Sequence, residues 1–412
     1  MSDQIGVGCF TVTPRMRALV NEVLDSGRIS YGDKSREFER EFAKIHEAAY
    51  AVLSNSGTSS LHVALQAMKE IEGWADGDEV IVPAVTFVAS INVILHNGLK
   101  PVLVDVDPVY YEINPALIEA AITSRTRAIM PVHLFGLPCD MTVIMEIAQR
   151  HGLKVLADSC ECMFVRHNGR MTGAWGDIVC YSTYVAHLLT TGIGGFSLTN
   201  DPRYAAKMRS LVNHGRDGIY LNIDDDHGLS NGALKEVIER RFNFESIGHS
   251  FRITELEAAL GLAQLEDWYS LIFARETNAA YLSYHLSKYA LHLQLPLERP
   301  FTDSANMMYP ILLYREDKRA LCELLEKRGI ETRAMLPLIN QPCYAGLWEP
   351  NDYPVAQWIE HGGFYVGCHQ GLERSDLDRI ADAFDEYFEP AYILDYGLSG
   401  EPPAIEVRHD LA

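Results

Sequence analysis

The chain has 412 residues, 48% of them apolar, and a formal net charge of −21. That length supports a large core and sets a prior of two or more domains. The acidic balance, with a pI near 5.1, excludes an extended nucleic-acid surface, which needs clustered Lys and Arg against phosphates.

The chain opens on Met1-Ser2-Asp3-Gln4-Ile5, without the basic-then-apolar pattern of a signal peptide, so a cytoplasmic protein is expected. No apolar run is long enough to span a bilayer. From about residue 50, short β-branched runs alternate with helical segments. Strands are predicted at 50–53, 79–83, 101–106, 128–134, 154–158, 178–182 and 196–199. Helices are predicted at 59–69, 89–96, 115–121 and 141–151. Several strands are apolar almost throughout, as in a parallel sheet buried on both faces. The alternation predicts an α/β fold. Residues 202–213 and 252–290 read as helical. Beyond about 290, strands at 291–295, 308–313, 331–335 and 363–366 mix with helices at 318–328 and 376–388, a smaller α+β unit. The expected division is a large domain over 1–265, a small one over 266–397 and an unordered tail over 398–412. Eight scattered cysteines without CxxC spacing read as reduced thiols, and no metal site is expected.

Four places carry chemistry. Ser54-Asn55-Ser56-Gly57-Thr58-Ser59 follows a strand and opens a helix. Small residues there let backbone amides approach an anion, and the helix N-terminus favours negative charge; a plain N-cap turn is the bland alternative. Phe87 lies just past the second strand and suits stacking on a flat ring, with core packing as its alternative. Asp158 ends the apolar strand Lys154-Val155-Leu156-Ala157, at the edge where open α/β sheets bind ligands. A carboxylate there suits a pyridinium nitrogen, or is a strand-end cap. Asp105 and Asp107 read as caps of that kind. Finally, Tyr181-Ser182-Thr183-Tyr184-Val185-Ala186-His187 runs on to Gly192-Ile193-Gly194-Gly195, a strand end, a loop and a glycine turn. Asp224-Asp225-Asp226-His227 reads as a solvated acidic loop.

In this order the pieces resemble the DegT/StrS sugar aminotransferase family of fold-type I enzymes, which use pyridoxal phosphate (PLP) or its amine form (PMP). The resemblance runs from about Asp25 to about Leu372. It implies a large domain with a mainly parallel seven-stranded sheet and a smaller C-terminal α+β domain. Ser56, Gly57 and Thr58 then correspond to the phosphate turn, Phe87 to the ring-stacking aromatic, Asp158 to the ring-nitrogen partner and Ser182 to a phosphate-binding hydroxyl. Phe251-Arg252-Ile253-Thr254-Glu255 through Gln264-Leu265 is similar to the family's N-Y-R-M…Q-L helix. Tyr31 and Arg216 are implied as substrate contacts.

Three positions depart from that pattern. His187 stands at the lysine that normally forms a Schiff base with the cofactor. Glu161 replaces a glutamine beside the ring. Ser250 replaces an asparagine that reaches the neighbouring subunit's phosphate. A branch similar to GDP-4-keto-6-deoxymannose 3-dehydratase also carries histidine at the lysine position. The resemblance therefore implies removal of a sugar hydroxyl from a nucleotide-linked keto sugar, with His187 as base and an amino acid, glutamate, as amine donor. The alternatives are a sugar aminotransferase, including a Lys-to-His variant of one, and a catalytically silent PLP-fold protein acting as partner or sensor. A homodimer is implied as well.

Overall fold

The computed structural model describes residues 4–30, 32–218 and 228–396, with backbone alone from 389 onward. The expected tail and the Asp224–His227 run lie outside these residues. Seven strands form the main sheet: β1 (Tyr50–Ser54), β2 (Glu79–Pro83), β3 (Lys100–Val104), β4 (Thr126–Ile129), β5 (Lys154–Asp158), β6 (Ile178–Ser182) and β7 (Gly195–Thr199). Their spatial order is β1-β7-β6-β5-β4-β2-β3. Only β7 runs against its neighbours; the other pairings are parallel. The predicted α/β fold with a mainly parallel sheet is the observed one.

Several boundaries differ from expectation, two of them for plain local reasons. β4 stops at Ile129 rather than 134, because Pro131 has no N–H to give to a ladder. The helical region 252–290 is two helices, Glu255–Leu265 and Trp268–Leu286. The first begins at a capping box in which Thr254 and Glu257 exchange bonds. Two N-terminal helices, Pro14–Ser26 and Asp33–Ile45, were not expected. The first carries proline at its start, Thr13 as cap and Gly27 in the left-handed conformation after its end, a pairing of start and stop signals.

A four-stranded antiparallel sheet, in the order Leu293–Gln294, Met308–Leu313, Gly363–Gly367, Arg333–Ala334, lies in the C-terminal part. It has its own core, including Leu282, Leu286, Tyr309, Phe364 and Phe384. Helix Trp268–Leu286 contributes Ile272 to the main core and Leu282 to the second. The N-terminal segment crosses as well. Ile5 pairs with Ile330 and belongs to the second core. Among the described residues, no helix is long and apolar enough to cross a membrane.

Candidate active site

The parallel strands β1, β2, β5 and β6 all end at one edge of the sheet, and the reversed β7 begins there. Register makes this explicit: Gly195 pairs with both Ser54 and Ser182, and Asp158 pairs with Cys180 in β6. Residues far apart in sequence therefore meet at the carboxyl edge, where open α/β sheets bind ligands.

The Ser56 turn is built tightly. Ser56 caps helix Gly57–Glu72 by accepting from the Ser59 amide at 3.0 Å, so its hydroxyl takes the capping role. Gly57 and Thr58 are the first helical residues, whose amides have no partner within the helix. A Cβ on Gly57 would sit 2.7 Å from Ser182 Cβ and 2.8 Å from Cys160 Sγ. One on Gly195 would sit 2.6 Å from the Ser56 carbonyl group. Glycine at both places lets the turn, Ser182 and the Asp158 element close on each other.

Asp158 is 4% exposed. Its Oδ2 accepts from Ser90 Oγ at 2.8 Å and its Oδ1 from the Cys160 amide at 3.1 Å. No cation touches it among the described residues, and burial pushes its pKa above the usual carboxylate range. Glu161, also buried, accepts from the Phe135 amide at 3.0 Å. Burial raises its pKa to about 7, with the nearby Asp158 adding to the rise. Phe87 precedes helix Val88–His96 and is 58% exposed; it is no core aromatic. Asp105 has the structural role expected of it. Its carboxylate accepts from the Val355 and Ala356 amides and so caps helix Pro354–Gly362. Asp107 accepts from the Val109 and Tyr110 amides.

The loop from Thr183 to Gly194 carries His187 and is stapled at its neck. Thr183 and Thr191 share a hydroxyl bond of 2.6 Å, and the Thr183 amide donates to the Gly194 carbonyl. Gln264 holds the far limb, accepting from the Thr190 amide at 3.0 Å and donating to its carbonyl at 2.6 Å. Leu188 and Leu189 anchor it in the core. His187 Nδ1 is buried without a hydrogen-bond partner. Desolvation lowers the imidazole pKa to about 4, although the backbones of Ser182 and Cys160 beside the ring act the other way. The ring is thus neutral at physiological pH and lies between the ends of β5 and β6. The segment between Lys154 and Lys207 contains no lysine. The N-terminal segment supports this loop: a Cβ on Gly8 would lie 2.9 Å from Ala186 Cα.

The structure gathers Gly57, Asp158, Ser182 and His187, with Ser56 and Thr58 on the Gly57 turn, Glu161 three residues past Asp158, and Phe87 three residues before the Ser90 that bonds Asp158. Other expected residues lie elsewhere. Ser250 is exposed, pairs with Asn213, and accepts from Arg252 at 3.2 Å. Arg216 lies 5.4 Å from the Phe242 and Phe244 ring centres and donates to the Arg241 carbonyl. Tyr31 is outside the described residues, although the neighbouring Gly32 amide is held by Glu255. Ser90 and Thr86 were missed. Their signal was two hydroxyls four residues apart at the start of an apolar helix.

Known proteins resemble this chain over most of its length. The profile of the DegT/DnrJ/EryC1/StrS aminotransferase family matches residues 12–385. A GDP-perosamine synthase of Caulobacter vibrioides is 35% identical over 393 residues, covering 94% of this chain and 99% of the relative. A dTDP-4-dehydro-2,6-dideoxy-D-glucose 3-dehydratase of Saccharopolyspora spinosa is 33% identical, covering 90% and 83%. The E. coli GDP-4-keto-6-deoxy-D-mannose-3-dehydratase with bound hydrated PLP superposes with a TM-score of 0.84 over 92% of this chain and 98% of that one. At 24% identity that likeness carries the fold alone. The residues present suit the cofactor: a glycine turn with free amides for a phosphate, an exposed aromatic face, and a buried carboxylate met only by neutral donors. The chain belongs to the DegT/DnrJ/EryC1/StrS family and is a PLP-dependent enzyme of it.

Proposed function

We propose that this enzyme removes the C3 hydroxyl of a nucleotide-linked 4-keto sugar, with His187 as the proton-moving base and glutamate as the amine donor. The single observation that carries the reading is His187 itself: a neutral, half-buried imidazole with its Nδ1 sealed from solvent, on the loop between Ser182 and the glycine turn, where the family resemblance expects a lysine. The 3-dehydratase relative supports it.

The Gly57 and Thr58 amides and the Ser182 hydroxyl would hold the phosphate, Phe87 the ring face, Asp158 the ring nitrogen and Glu161 the ring edge. In its amine form the cofactor supplies an amine for the sugar carbonyl and a ring that stores an electron pair. His187 is neutral, so one ring nitrogen is free to accept a proton. Unlike a lysine, it has no amine to capture the cofactor, which prolongs the time available for loss of the hydroxyl. Asp158, ionised, stabilises positive charge on the ring nitrogen. Electrons balance: the two-electron oxidation of glutamate to 2-oxoglutarate matches the two-electron reduction at C3, and the amino group leaves as ammonia.

Transamination is the second reading, favoured by the GDP-perosamine synthase relative. Replacing His187 by lysine tests the choice. The proposal expects H187K to lose dehydration and to gain a visible-range absorption band with PLP. Dehydration retained at the unmodified rate in H187K overturns the assignment of His187.

A further inference from the structure

We propose that Thr86 and Ser90 form a two-hydroxyl relay that orients Asp158 and supports its negative charge. Ser90 Oγ lies 2.8 Å from Asp158 Oδ2, and Thr86 Oγ1 lies 2.8 Å from Ser90 Oγ. All three side chains are buried. Hydrogen-bond capacity fixes the direction of the chain. An ionised carboxylate only accepts, so the single proton of Ser90 goes to Asp158. The oxygen of Ser90 must then accept from Thr86. The two bonds therefore point the same way, and bonds in such a series polarise one another in a low-dielectric site.

The relay has a reason to exist. Asp158 is buried with no cation in contact among the described residues, and burial alone disfavours its charge. Hydrogen bonds to the charged form oppose that: Ser90 on Oδ2, the Cys160 amide on Oδ1 and the Cys160 thiol beside it. The same short segment presents Phe87 between the two hydroxyls. One turn at the start of helix Val88–His96 thus sets both the aromatic face and the carboxylate orientation. Ser90 and Thr86 are positioning residues, acting through Asp158.

The inference rests on the assignment of Asp158 to the cofactor's ring nitrogen and is independent of which reaction follows. It is tested by binding. The affinity of the cofactor-free enzyme for PMP is measured against pH for the unmodified protein, S90A, T86V and S90T, with melting curves to check folding. Titration of PMP itself is common to all four, so differences between them isolate the protein. In S90A the acid limb, where affinity falls as Asp158 takes up a proton, is expected to move to higher pH. Affinity at neutral pH is expected to fall about tenfold or more, the effect of losing a hydrogen bond to a charged group. T86V should move the same way by less, and S90T should restore the limb. A role in packing alone would lower affinity equally at every pH. That result, or an unmoved limb in S90A and T86V, overturns the relay. Failure of the unmodified protein to bind PMP would instead overturn the Asp158 assignment together with the relay.

Discussion

Two groups of the candidate site, His187 and Glu161, have their protonation set by burial. His187 is neutral because desolvation lowers its pKa to about 4, so its proton-accepting form persists at every pH above that value. H187N, similar in size but not a base, is expected to lower turnover by about 10²-fold or more while leaving PMP affinity within about twofold, since the phosphate and ring contacts lie elsewhere. Rates and binding isotherms check this. Glu161 behaves in the opposite sense. Folding raises its pKa to about 7, whereas the unfolded chain releases that proton near 4.3. The folded state therefore binds the extra proton between these values, and stability present at lower pH is lost as pH rises toward 7. In E161Q the amide oxygen still accepts from Phe135, and no charge is buried. The variant should melt with the unmodified cofactor-free protein near pH 4.5 and above it at pH 7.5, by up to roughly 2–3 kcal/mol. Coincident melting at both pH values would contradict the burial of an ionisable Glu161.

At the scale of elements, the His187 loop is held by the Thr183–Thr191 neck, the Gln264 clamp and the N-terminal segment at Gly8. A methyl on Gly8 would meet the Ala186 backbone at 2.9 Å, so either segment must shift. G8A is expected to reduce turnover about tenfold, as small misplacements of a catalytic group do, with PMP affinity nearly unchanged; steady-state kinetics beside a binding titration decides. These elements also show what a sequence discloses. The seven strands were legible because strands buried on both faces are apolar runs; Asp158 and the Ser56 turn were singled out because ligand groups follow strand ends, and Ser182 by the family resemblance. Ser90 was not, because its partner is 68 residues away. Helix Pro354–Gly362 was not, because its cap is Asp105, about 250 residues upstream. Gly8 looked like any glycine near a chain start. Its reason is a close approach to a loop that exists only once the sheet has formed.

Across the whole molecule, two cores share helix Trp268–Leu286 and the strap through Ile5, so the C-terminal sheet is tied to the sheet edge bearing the site. Exposed apolar residues cluster in sequence at Phe242, Phe244 and Ile247, the last 90% exposed; patches of this kind mark interaction surfaces. The homodimer that the family resemblance implies would cover such residues, and sedimentation should give twice the 46.2 kDa chain mass. A monomer at working concentration would contradict that expectation. Under the proposed function, a histidine-bearing site turns amine-cofactor chemistry from amino transfer to deoxygenation. The most direct test of that reading is to supply the enzyme with PMP, glutamate and a nucleotide-linked 4-keto sugar and to measure ammonia against sugar product. Dehydration predicts one ammonia per 3-deoxy-4-keto sugar formed. An amino sugar formed without ammonia would contradict it.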